Sequence, residues 1–174
     1  MTEPRPVIRP IQLSDLAAYR ALRLDGLLRF PEAFSSDYAE QKDLPDSFWQ
    51  KRITSSLAGQ DQCLYVAETA EGVLVGMAGL VRGESRKERH NALLVGVYVQ
   101  PEYQGQGLAP LLIQACLDWG QSQGVAIVKL GVGAYNSSAI RLYQRLGFEQ
   151  FGNEPMALKV NGEYLDEWQM AKRV

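Results

Sequence analysis

Between an apolar run ending at Val99 and an apolar helical stripe beginning at Leu108 lies Gln100-Pro101-Glu102-Tyr103-Gln104-Gly105-Gln106-Gly107, and this turn constrains the chain more than any other segment. A strand that feeds through glycines into a helix start is an anion site in outline. The first helical N–H groups have no acceptor within the helix, and the macrodipole adds partial positive charge. Gly105 and Gly107 carry no side chain to block a phosphate or pyrophosphate. A tight connection without a ligand is the alternative. Two nucleotide readings fail on the residues. Gly105-Gln106-Gly107-Leu108-Ala109-Pro110 begins like a dinucleotide fingerprint, but Pro110 stands where the third glycine belongs, and Gly124 to Ser138 holds no carboxylate for a ribose. An ATP-type phosphate loop needs Gly-Lys followed by Ser or Thr, and the chain has no Gly-Lys pair.

The elements around the turn follow from periodicity. Val7 to Gln12 predicts a first strand; Ser14-Asp15 cap a helix through Leu16, Tyr19, Leu22, Leu24, Leu27 and Leu28 that Pro31 stops. After an irregular Ala33 to Leu44, Pro45-Asp46 opens a helix through Phe48, Trp49, Ile53 and Leu57, closed by Gly59. Leu64 to Thr69 and Val73 to Val81 predict a hairpin about Ala70-Glu71-Gly72, and Arg82 to His90 a connecting loop. Leu93 to Val99 is apolar on both faces, which predicts a central strand covered on both sides, with Gly96 marking a bulge or a close backbone approach. The helix from Leu108 carries the stripe Leu108, Leu111, Leu112, Ala115, Cys116 and Trp119. Ala126 to Val132 predicts a buried strand, and Ser137-Ser138 begin a helix that ends at Gly147. Phe148 to Gly152, Met156 to Val160 and Glu163 to Met170 predict strands, with Asn161-Gly162 a hairpin turn.

Composition removes whole classes of function. With 46% apolar and 22% charged residues, the 174-residue chain reads as one globular domain. A formal charge of −2 argues against a general affinity for nucleic-acid backbone, and Glu84 and Glu88 interrupt the basic residues of Arg82 to Arg89. Cys63 and Cys116 lack metal-ligand spacing and are too few for a disulfide framework, so a reducing compartment, the cytoplasm, is expected. The longest charge-free stretch, Tyr103 to Leu117, falls short of the roughly 20 residues that span a bilayer. Met1 to Ile11 has no apolar core of a secretory signal, so the chain is expected to be used whole.

Two motifs together carry a family resemblance. Gln104, Gly107 and Ala109 match the pattern Gln/Arg-x-x-Gly-x-Gly/Ala of the acyl-CoA pyrophosphate loop of the GNAT N-acetyltransferase superfamily. Asn136-Ser137-Ser138-Ala139-Ile140-Arg141-Leu142-Tyr143-Gln144-Arg145-Leu146-Gly147-Phe148 is similar to that family's Asn-x-x-Ala-x-x-Leu-Tyr-x-x-x-Gly-Phe segment. The resemblance implies an α/β (α+β mixed sheet) GNAT-like acyltransferase fold. Its central, mostly antiparallel sheet would be splayed at the cofactor cleft and flanked by helices, as a single domain over residues 1–174.

It further implies an acetyl-CoA-dependent N-acetyltransferase acting on a small-molecule or peptide amine, with no metal, nucleic acid or membrane partner, and with homodimerisation left open. The backbone of Tyr98 and Val99 would hydrogen-bond the pantetheine arm. The loop of Gln104, Gly105, Gln106, Gly107, Leu108 and Ala109 would wrap the pyrophosphate through main-chain amides. Pro110 departs from a full donor set because it has no N–H. Asn136 would meet the pantetheine arm, and Tyr143 would protonate the leaving thiolate. The alternative for Tyr143 is a core aromatic in the stripe Ala139, Ile140, Leu142 and Leu146. The alternative for the whole chain is a catalytically silent CoA-binding regulatory domain.

A lysine-like amine is uncharged about once in 2,500 at pH 7, a cost of roughly 4.6 kcal/mol that a base or a desolvating pocket must reduce. Glu32, Glu68 and Glu102 are the candidate bases, each also readable as a solvated carboxylate; His90, the only histidine, lies at a loop end. These residues predict stabilisation by CoA or acetyl-CoA and not by NAD or ATP, approaching about 2.7 kcal/mol at a hundredfold excess over Kd. A thermal-shift comparison of the four ligands checks it, and a shift with NAD alone would reverse the reading.

Overall fold

In a computed structural model that describes residues 4–174, the chain runs β1 (Val7–Pro10), α1 (Leu16–Arg29), α2 (Tyr38–Gln41), α3 (Asp46–Ala58), β2 (Gln62–Glu68), β3 (Leu74–Arg82) and β4 (Asn91–Val99). It continues through α4 (Leu108–Ser122), β5 (Ile127–Gly133), α5 (Ser137–Arg145), β6 (Glu149–Val160) and β7 (Glu163–Arg173). One open seven-stranded sheet takes the order β1-β2-β3-β4-β5-β7-β6. Every neighbouring pair is antiparallel except the parallel β4 and β5. The mixed sheet with flanking helices is the arrangement the sequence motifs imply.

Two apolar clusters hold the helices to the sheet. On one face, Tyr19 and Leu22 of α1 and Trp49 and Ile53 of α3 pack with Val66, Leu74, Met77 and Tyr98. On the other, Leu108, Leu112, Ile113, Cys116 and Leu117 of α4, with Ile140 and Tyr143 of α5, pack with Val75, Ala78, Leu80, Val99, Val128 and Leu130. β3 is therefore the strand buried on both faces, from Leu74 through Leu80. β4 is not. Leu93 is 47% exposed and Val95, Gly96 and Val97 are only half-buried, so the expectation of a doubly covered β4 is corrected. Leu93, although it pairs with Lys129, and Val95 stand outside both apolar clusters that the helices build on the sheet.

Other departures have local causes. The buried stripe of α4 is Leu108, Leu112, Ile113, Cys116, Leu117 and Gly120, with Leu111 41% exposed. The helix is turned toward Leu80, where a Cβ on Gly120 would stand 2.8 Å from Leu80 Cδ2. The stretch read as irregular contains α2, started by Asp37, whose carboxylate accepts from the N–H groups of Ala39 and Glu40. The two strands expected over Phe148 to Val160 are one bent strand, β6, whose register with β7 shifts at Gln150/Gly152 and Glu154/Leu158. Asn161 and Gly162 both have positive φ, +50° and +86°, as a two-residue hairpin turn of type I′ requires.

The edge strand β1 is fastened by charge. Arg9 reaches Asp15 at 2.7 Å and Glu68 at 2.7 Å, with 19% of its side chain exposed. Those hydrogen bonds hold both carboxyls below their usual range. The stability contributed is present above the ordinary carboxylate pKa near 4 and is lost as pH falls through the lowered folded values. Arg9→Met is expected to lower Tm by roughly 3–8 °C at pH 7. The difference from wild type should shrink below about pH 4, and calorimetry across pH checks both.

Candidate active site

The parallel pairing of β4 with β5 covers only Asn91↔Ile127, Ala92↔Val128 and Leu93↔Lys129. Beyond it the strands diverge, because each is held more fully by its other neighbour: β4 by β3 and β5 by β7. Gly96 has φ +62°, and the register with β3 passes from Gly79↔Val95 to Met77↔Tyr98, so Gly96 and Val97 both stand opposite Ala78. This is a bulge, and it turns β4 away from β5.

Strand alternation sorts the main-chain groups. Gln100 N–H donates to Val75 O of β3 at 2.9 Å. Tyr98 therefore faces β3 with its backbone, while Val97 and Val99 face the gap. Of the two pantetheine positions named from sequence, Val99 is the one directed into the gap. The Tyr98 side chain lies on the α1 face and donates its hydroxyl to Asp25 at 2.7 Å.

The glycine turn follows directly. Gln104 Nε2 donates to Val99 O at 3.0 Å and its N–H to Pro101 O at 3.2 Å, so Gln104 ties the loop to the end of β4. Gly105 and Gly107 take φ +77° and +73°, and Gly107 is the residue on which α4 starts. Among the described residues, the N–H groups of Gly105, Gln106, Gly107, Leu108 and Ala109 have no main-chain acceptor, and Pro110, in the first turn, supplies none. One contact was not visible in the sequence: Arg5 Nη2 donates to Gln106 O at 2.6 Å and lies 2.7 Å from where a Cβ on Gly107 would stand.

Tyr143, 8% exposed, packs edge-to-face on Phe148 in the cluster that also holds Val99, Leu108 and Val132. Burial pushes its pKa up to about 12, so the phenol keeps its proton at neutral pH. Asn136 is the N-cap of α5, and its Oδ1 accepts from Ala139 N–H at 3.1 Å. That leaves Nδ2 as the side-chain group able to donate to a ligand.

The candidate bases divide. Glu68 is held by Arg9, and Glu102 by its own N–H and by Arg29 at 3.0 Å, which lowers both carboxyls. Glu32 is half-buried and its charge acts on Tyr135. His90 immediately precedes the paired end of β4, and its carbonyl accepts from Ala126 and Ile127 N–H. Sequence reading missed Glu167 on β7. It is half-buried, and burial followed by the charge of Glu154 raises its carboxyl. A Cβ on Gly131 of β5 would stand 2.7 Å from Glu167 Oε2. Gly131, the one glycine within the buried run Ala126 to Val132, was the available signal, since a strand glycine marks close approach. Among the described residues, no group of three His, Cys, Asp or Glu is placed to hold a metal, and no helix is long and apolar enough to cross a membrane.

The sequence profile of the acetyltransferase (GNAT) family matches residues 26–148, a span that runs from α1 to Phe148 and includes both motifs. The chain belongs to the GNAT family. N-acetyltransferase 8 of Homo sapiens is 36% identical over 102 residues, which are 58% of this chain and 44% of that protein. The chain spans between 28% and 63% of the length of the first relatives it matches. A GNAT-family acetyltransferase from Streptococcus pneumoniae superposes with a TM-score of 0.86 at 23% identity, over 97% of this chain and 99% of that one. A putative acetyltransferase from Salmonella typhimurium, solved with its cofactor acetyl-CoA, superposes at 0.84 and 23% identity, over 98% and 94%. Such likeness establishes the GNAT fold.

Gly107→Val tests the loop. A β-branched residue is strained at φ +73°, and its Cβ would stand 2.7 Å from Arg5 Nη2, the guanidinium that holds Gln106 O in the loop. The expected result is a folded protein whose affinity for CoA is at least about tenfold weaker, measured by calorimetric titration. Unchanged affinity would remove the loop from the binding site.

Proposed function

We propose that this chain is an N-acetyltransferase that moves the acetyl group of acetyl-CoA onto a primary amine of a small molecule or peptide. The observation that carries the proposal is the unpaired length of β4 leading directly into a run of unpaired amides at the start of α4. The first suits an extended, amide-bearing arm; the second suits a pyrophosphate. The main chain of Val97 and the N–H of Val99, whose carbonyl already accepts from Gln104, would hold the arm, with Asn136 Nδ2 a further donor. The amides from Gly105 to Ala109 would hold the pyrophosphate. The putative acetyltransferase from Salmonella typhimurium, a neighbour of the same fold, was solved with acetyl-CoA, which supports acetyl-CoA as the ligand.

Acetyl-CoA supplies a thioester whose carbonyl carbon an uncharged amine attacks, so that a C–N bond forms as the C–S bond breaks. Two protons must move. Tyr143, protonated at neutral pH, is the acid that donates to the departing sulfur. Glu167 is the base that takes the proton of the acceptor ammonium. Its raised pKa brings it closer to that of the group it serves. On β7 it pairs with β5 opposite Gly133, on the sheet face of Gly131 and of α1, whereas Tyr143 belongs to the α4 face. Acid and base thus stand on opposite faces of the sheet, with the gap between them.

Tyr143→Phe is expected to lower kcat roughly 10²- to 10⁴-fold with little change in acetyl-CoA affinity. A purely structural tyrosine would lose about 1 kcal/mol of stability and leave turnover nearly intact. Free-thiol release with a panel of amines, read beside thermal denaturation, separates the two. The Glu167→Gln variant should lose the fall in kcat/KM that wild type shows as pH drops through the carboxyl's raised value; an unaltered profile assigns the base elsewhere.

A further inference from the structure

On the α1 face of the sheet, beside the Gly96 bulge, lies a cavity of about 80 Å³ lined by Arg23, Arg52, Gln62, Met77, Val95 and Gly96 among others. Arg23 is 6% exposed, and its Nε and Nη1 are buried without any hydrogen-bond partner; Nη1 of Arg52 is in the same condition. Among the described residues, none of the lining side chains is acidic. The acid on the same helix, Asp25, is engaged elsewhere, accepting from Tyr98 at 2.7 Å and Arg29 at 2.9 Å. Phe34 covers the Arg23 guanidinium at 4.6 Å and holds it in place without satisfying its N–H groups.

Two guanidinium groups therefore share one cavity with no counter-charge, a costly arrangement for a folded protein unless an anion completes it. Burial and the neighbouring Arg52 lower the pKa of Arg23 to about 10, which leaves it charged at neutral pH. The cavity also sits where an acceptor must lie. Arg23 Nη1 is 3.7 Å from the point a Cβ on Gly96 would occupy, and Gly96 is the residue at which β4 turns away from β5. A group bound to Arg23 is thereby held beside the gap.

We propose that Arg23 and Arg52 bind the α-carboxylate of the acceptor, so that the amine acetylated is that of a free amino acid. This deepens the acetyltransferase reading and rests on it. In an α-amino acid the amine is one carbon from the carboxylate, so a carboxylate at Arg23 leaves the nitrogen at the bulge. Polyamines offer no anion, and the first residue of a peptide carries an amide where the carboxylate should be. Met77, Val95 and Leu64, which also line the cavity, suit an apolar side chain.

The experiment compares matched pairs on the wild-type protein, L-leucine, L-methionine and L-phenylalanine each against its amide, by free-thiol release from acetyl-CoA. For the best pair, kcat/KM should favour the free acid by about tenfold or more, the worth of charge-assisted hydrogen bonds to a carboxylate. Arg23→Gln should bring that ratio to near one, with the CoA thermal shift reporting that the variant is folded. Should that variant fail to fold, Arg52→Gln is read in the same way, and the wild-type ratio stands alone. An amide used as well as its acid overturns the proposal and leaves acetyl transfer intact. If no pair is turned over, binding to the CoA complex is measured directly. Binding of the acid but not the amide upholds the carboxylate site, binding of neither overturns it, and in both cases acetyl transfer itself is decided by thiol release with the wider amine panel.

Discussion

The parallel pairing of β4 and β5 ends at Leu93↔Lys129, although β4 continues to Val99 and β5 to Gly133. Unmade sheet hydrogen bonds are costly in a protein interior, so such a gap persists only if stronger constraints impose it or a ligand fills it. Here the constraints are visible. β3 is buried on both faces and holds β4, β7 pairs with β5 along its length, and the bulge at Gly96 and Val97 turns the two halves of the sheet apart. Nearly every feature of the site depends on this separation. It directs Val97 and Val99 toward open space, leaves β4 partly uncovered, and brings the end of β4 to the loop that starts α4.

Charge is distributed about the gap according to what each side must meet. The amides of Gly105 to Ala109 and the guanidinium of Arg5 concentrate positive potential at the start of α4. Arg23 and Arg52 concentrate it beneath α1, where no lining carboxylate answers them. Negative charge gathers instead on the β7 side, where Glu167 and Glu154 face one another and burial keeps the Glu167 proton more firmly bound than usual. By contrast, Arg9 with Asp15 and Glu68, and Arg29 with Asp25 and Glu102, are satisfied networks that fasten elements together. The groups assigned to chemistry differ in that each keeps a donor or acceptor that no protein group takes up.

The site was legible in sequence where it rests on local backbone. Gly105 and Gly107 take the left-handed conformations that a glycine turn into a helix requires, Asn136 caps α5, and Gly96 forms the bulge its place in a strand suggested. The motif residues of the GNAT family fall in that same class. Periodicity served less well where an element is only partly covered. The α4 stripe is turned toward Leu80, and β4 is not enclosed on both faces, since Leu93 and Val95 stand outside both helix-covered clusters.

Arg23 and Glu167 lay beyond sequence reading because nothing local sets them apart. Arg23 occupies a helix position that a periodic pattern assigns no special role, and Glu167 alternates along β7 like any surface carboxylate. The sequence by itself determined the main helices and strands other than α2 and the single span of β6, together with the glycine turn and the family, since each depends on neighbours in the chain and on backbone angles that few residues accept. The tertiary structure decided which way β4 faces, which carboxylate approaches Gly131, and that two arginines close on one cavity without a counter-charge. Those outcomes depend on burial and long-range juxtaposition, which turn an ordinary side chain into a perturbed one only after the sheet and its helices have assembled.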